Sequence, residues 1–137
     1  MKTKYVVIIQ CDMAKNRCSG MRCTNAFYEK TDAFKNYAKD TKYISFTCGG
    51  CSGKLVSSKL ANFSRWLKKY DGIEKDEVTI HLSSCMSTDN SHYDRCPNID
   101  YIKQIINKKG YTNMVEGSIF SKKSEKLREE GIYKKYQ

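Results

Sequence analysis

The sequence predicts an α/β fold: one domain, three layers deep, with helices wound on both faces of a mostly parallel four-stranded sheet. Two observations predict the class. Four short β-branched or apolar runs alternate with four stretches of helical periodicity. The first run is nearly continuous in apolar residues, as a strand covered on both faces must be. A third observation sets the extent. The chain of 137 residues is long enough for a real core, and no internal repeat, low-complexity tract or Pro/Gly/Ser-rich linker divides it. The expected domain therefore spans 1–137, with right-handed crossovers and the strand order 2-1-3-4.

The elements follow in order. "KYVVIIQ" at 4–10 is the first strand, and Phe27, Phe34 and Tyr37 suit one face of a first helix. "YISFT" at 43–47 is the second strand. After it Val56, Leu60, Phe63, Leu67 and Tyr70 recur in steps of three and four, the spacing of a buried helix face. "EVTIHL" at 77–82 is the third strand; Ile99, Ile102 and Ile106 mark a third helix, with Gly110 as its stop after Lys108 and Lys109. "TNMVE" at 112–116 is the fourth strand. Within 118–137, Leu127 and Ile132-Tyr133 outline a weaker C-terminal helix. Tyr28, Phe34 and Trp66 read as ordinary core or rim aromatics.

Composition narrows the function. The longest apolar run, from Tyr5 to Ile9, is far too short to span a bilayer, and no small-residue cleavage site follows it. A cytoplasmic protein without membrane contact is expected. Its seven cysteines are odd in number, and in a reducing compartment they are read as metal ligands or catalytic thiols, not as a disulfide framework. The formal charge of +10 invites a nucleic-acid partner. Yet the basic residues are interspersed with glutamates, as in "KKSEKLREEGIYKK", which reads as a solvated helix, and no nucleic-acid signature is present.

Laid on the elements, the cysteines fall in one kind of place. Cys11, Cys48 and Cys85 follow the first three strands. Cys51 sits where the second helix begins, Cys18 and Cys23 in the loop after the first strand, and Cys96 in the loop before the third helix. None is expected in a helix interior. In a parallel sheet all these loops lie at the carboxyl edge, where open α/β folds bind ligands.

Cys48-Gly49-Gly50-Cys51 carries the strongest signal. Two sulfurs at this spacing can chelate one ion, the glycines permit positive φ, and the helix start behind them favours thiolate. A site of several thiolates suits zinc or an iron–sulfur cluster. Cys48, Cys51, Cys85 and Cys11 are the primary candidate ligands, Cys18 and Cys96 the next, and Cys23 and His81 trail. His81 lies inside the third strand, up to about 13 Å from Cys85 in extended chain, and reads first as a hydrogen-bonded strand residue. His92 lies in the loop between Cys85 and Cys96. Metal or cluster handling, or redox transfer, is the expected task. One alternative is a thiol–disulfide oxidoreductase, with Cys48 attacking, Cys51 resolving, and a redox protein as partner. Another is a phosphatase or arsenate reductase built on Cys11 and, six residues on, Arg17.

The residues so assembled resemble the CGGC-domain family, whose members are proposed to bind metal. The resemblance runs from the first strand to Gly117. It rests on Cys11 closing that strand, Cys18-Ser19-Gly20, Ala33-Phe34, "FTCGGCSGK" at 46–54, "IHLSSC" at 80–85 and Cys96-Pro97. Two positions depart from it. Asn98 stands where the family tends to carry histidine after Cys-Pro, and Gly117-Ser118-Ile119 stands where a Gly-Thr-His-like turn is frequent. The resemblance therefore implies metal binding by a thiolate-rich set, and its shared "IHLSSC" adds weight to His81.

Overall fold

Four strands, β1 (Tyr5–Gln10), β2 (Lys42–Thr47), β3 (Val78–Leu82) and β4 (Met114–Glu116), form one sheet in the order β2-β1-β3-β4. Every pairing is parallel, with Val7 beside Ile44 and Ile80, and Leu82 beside Glu116. The computed structural model describes residues 3–50, 54–88, 95–120 and 122–132. Both central strands are buried on two faces: β1 is apolar from Val6 to Ile9, and β3 alternates but keeps Thr79 and His81 buried.

The two-residue period of β1 divides the core. Val7 and Ile9 face α2 (Lys54–Trp66) and α4 (Ile99–Lys108), joining Val56, Leu60, Ile102 and Ile106. Val6 and Ile8 face the other way, toward Ala26 and Phe27 of α1 (Met21–Glu29) and toward Phe34. Helices thus cover both faces of the sheet, as the sequence predicts.

α1 is shorter than its predicted pattern. Lys30 takes the left-handed conformation at φ 56°, its amide bonds back to Ala26 and Phe27, and Asp32 is also at positive φ. Phe34 therefore comes from a 3-10 turn (Asp32–Phe34) instead of the helix, yet it fills the same layer. Beyond Trp66, α2 widens into a π-helical turn (Leu67–Asp71) and stops at Gly72, φ 61°. α4 stops before Gly110, as expected. A four-residue helix, α3 (Ser84–Ser87), was not predicted; α5 (Lys122–Glu129) lies in the C-terminal stretch. No helix among the described residues is long and apolar enough to cross a membrane.

Candidate functional site

Because the strands are parallel, β1, β2 and β3 all deliver the chain to the same edge of the sheet. Cys11 follows Gln10 directly, and Cys48 follows Thr47. The Cys48 amide donates to the Gln10 carbonyl at 2.9 Å, so the β1–β2 ladder continues one step and sets Cys48 beside Cys11. On the other side of β1, the Ser83 amide donates to the Ile9 carbonyl at 2.9 Å, which holds the end of β3 level with the end of β1. Two residues on, Cys85 turns back toward it. Its sulfur accepts the Cys11 amide at 3.4 Å and lies 2.8 Å from the Ser83 hydroxyl.

Cys85 is also shifted in its acidity. Burial pushes it above the ordinary thiol range; the bonds from Ser83 and the Cys11 amide pull it down, and repulsion from Cys11 and Cys23 adds to the rise. Cys23 is also held up, by burial first, against hydrogen bonds from Ser118 and Gln10; repulsion from Cys18 adds to the rise. The sulfurs divide by face. Cys48 belongs to the α2/α4 layer, with Cys11 and Cys96 packed against it, whereas Cys23 belongs to the α1 layer.

Two placements correct the sequence reading. Cys23 is not in a loop but in the first turn of α1, because the chain enters the helix at Gly20, φ 83°. Cys85 lies within α3, since a single helical turn follows Ser83 at once. Cys18 does precede α1, its sulfur accepting the Gly20 amide at 3.4 Å. The Cys96 amide donates to the Met86 carbonyl at 2.9 Å, which moors it beside α3. Arg95 next to it bonds the Ser87 carbonyl and Glu116, and Lys103 pairs with the same carboxylate. Cys51 and His92 lie outside the described residues.

Serines and one glutamine that sequence reasoning missed hold these sulfurs. Ser118, fully buried after β4, lies 3.1 Å from the Cys23 sulfur and accepts the Ser84 amide at 3.1 Å. The Ser84 hydroxyl takes the amides of Ser118 and Ile119 and donates to the Ile119 carbonyl at 2.8 Å. Two signals were available: the serine pair before Cys85, and a polar Gln10 ending an otherwise apolar strand.

His81 has both ring nitrogens engaged. Nδ1–H donates to the Gly117 carbonyl at 2.8 Å, which leaves Nε2 to accept the Tyr37 hydroxyl at 2.6 Å. It is fully buried against Phe34, and burial pushes it down to about 4, so it is neutral at pH 7. The loop from Cys11 to Arg17 is not built as an anion cradle. The amides of Lys15, Asn16, Arg17 and Cys18 are all bonded to carbonyls of Cys11, Met13 and Ala14. Asp12, accepting the Thr47 hydroxyl at 2.9 Å, adds a negative charge there.

Among the described residues, no three His, Cys, Asp or Glu side chains are gathered so as to hold a metal ion. The donor chemistry nevertheless suits a soft metal, because it is sulfur alone once His81 is set aside. A parallel α/β sheet with thiols at the ends of successive strands defines the class of the protein. The chain matches the CGGC domain over residues 5–119 and belongs to that family, one proposed to bind metal. No curated protein and no solved structure matches it.

Proposed function

We propose that the protein binds a thiophilic metal, as zinc or an iron–sulfur cluster, through cysteine thiolates at the carboxyl edge of its sheet. One observation carries the reading. The Cys85 sulfur accepts the Cys11 amide at 3.4 Å, so the ends of β1 and β3 bring two cysteines from distant parts of the chain side by side. Cys11, Cys48, Cys85 and Cys96 are the described residues best placed as ligands, since three pack on one layer and Cys85 adjoins Cys11. Cys51 completes the CGGC chelate by its spacing. Cys23, which stands toward the other layer, and Cys18, which precedes α1, are assigned a secondary part. Loading requires the buried thiols to lose protons, so affinity rises with pH.

The test is anaerobic purification followed by elemental analysis and a visible spectrum. Stoichiometric zinc in colourless protein, or iron with sulfide in brown protein, is expected, with loss of metal in Cys85→Ser and Cys48→Ser. A folded wild type without metal, or full metal content in both variants, overturns the reading.

A redox dithiol of Cys48 and Cys51 is a second reading, favoured by positive φ at both Gly49 and Gly50 ahead of the helix. Against it, Cys48 is only 5% exposed, and an attacking sulfur must be reached by its disulfide partner. A two-electron couple confined to these two cysteines in metal-free protein would favour it.

A further inference from the structure

Away from the thiols, β2 is an edge strand, and its alternation sorts its backbone groups. The amides of Lys42 and Cys48 donate to β1-side carbonyls of Lys4 and Gln10, so the even-numbered residues face β1. Tyr43 and Ser45 direct their amides and carbonyls outward, where the sheet has no further strand among the described residues. Beside this edge runs a groove of about 470 Å³ between β2 and α2, lined by Ile44, Phe46, Phe63, Trp66 and Tyr70 and floored by Tyr5. Ile44 is 37% exposed and Tyr70 is 73% exposed, and Trp66 and Tyr70 stack at 5.2 Å.

Its charge is one-sided. Lys59 stands over Phe46, while Arg65 and Lys69 flank the Trp66 ring. The carboxylate in the lining, Asp71, is already tied to Lys42.

We infer that β2 and this groove form a docking site for an extended acidic segment of a partner protein, with apolar side chains at alternate positions. The segment adds a strand to the free edge through Tyr43 and Ser45. Its alternate side chains enter the aromatic groove, and its acidic residues meet the flanking lysines and arginine. A second copy of this chain fits poorly, because antiparallel self-pairing of β2 brings the Lys42 end of one copy to the Lys59 end of the other. A nucleic acid would use the cations and rings but leave the strand edge unanswered.

Trp66 is the chain's single tryptophan and reports directly on the groove. The probe is the peptide Glu-Leu-Glu-Phe-Glu-Leu-Glu, with the lysine-for-glutamate peptide as control. A saturable change in Trp66 emission is expected with the acidic peptide only. Ser45→Pro removes an amide that faces away from β1 and should weaken binding about tenfold. N-methylating the peptide's edge-facing amides should do the same without altering the protein. Four outcomes overturn the inference: no saturable change up to about 1 mM, a very weak limit; equal binding of the N-methylated peptide; equal binding of the lysine peptide; or tighter binding of oligothymidylate. A dimer that Ser45→Pro disperses would assign the edge to a second copy instead.

Discussion

Replacing His81 by glutamine should remove most of one identifiable slope from the acid stability of the protein. In the fold His81 is neutral, with its Nδ1–H spent on Gly117 and its Nε2 on Tyr37. Its folded value is pushed from 6.5 down to about 4 by burial, opposed only by the bond to Gly117. The unfolded chain therefore takes up a proton that the folded chain refuses. Stability from this group is complete above about pH 6.5 and drains as pH falls toward 4. The full difference of about 2.5 units corresponds to about 3 kcal/mol, of which about 2 kcal/mol is already lost at pH 5. Urea unfolding of wild type and His81→Gln at pH 7, 6 and 5 measures it. The variant should be less stable at pH 7, through the weakened bonds, but should approach wild type by about 2 kcal/mol at pH 5. Parallel pH curves would refute the argument, as would a His81 ring proton that titrates near 6.5 by NMR. Loss of bound metal from a folded His81→Gln protein would restore His81 as a ligand.

Other outcomes follow from single contacts. Gly49→Ala should cost about 1–3 kcal/mol in denaturant unfolding, since φ is +76° and the added Cβ would sit 2.4 Å from the Leu55 Cβ; an unchanged midpoint would contradict this. Glu116→Gln weakens the shared partner of Arg95 and Lys103 and should cost about 1–2 kcal/mol at pH 7, while Cys96 alkylates faster because its mooring to α3 loosens. In metal-stripped, folded protein at pH 8, Cys23 and Cys85 should alkylate more slowly than free cysteine, burial having raised both; faster reaction at either would show the burial argument to be wrong.

Where sequence patterns report packing, they were legible. β1 and β3 fall within their expected runs because a strand buried on both faces has little choice of residue. The helix face of Val56, Leu60 and Phe63 is likewise set by the layer it covers. The end of α1 was not legible, since Lys30 adopts a left-handed conformation without the glycine that would signal it. Phe34 still lands in its layer because the 3-10 turn replaces a helical one. α3 escaped notice because four residues are too few to show a period. At the site, the strand-end placement of Cys11 and Cys48 could be read from spacing. The Ser83 contact to Cys85 was within reach of the sequence, being two residues away, but the Ser118 contact to Cys23 was not, because β3 and β4 bring Ser118 beside Ser84 from 34 residues along the chain.

The sheet itself limits how the thiols can cooperate. The sulfurs divide between the two layers of the sheet: Cys11, Cys48 and Cys96 toward α2 and α4, Cys23 toward α1. A single tetrahedral ion needs its four ligands within about 2.3 Å, a sphere too small to draw from both sides of a packed layer. Under the metal-binding proposal, a mononuclear site therefore takes its sulfurs from one face, with Cys85 as the shared neighbour. Using Cys18 and Cys23 as well would call for a second metal under the same proposal. If the proposal holds, the number of metals per chain follows from which layer supplies the sulfur, before the identity of the metal is considered.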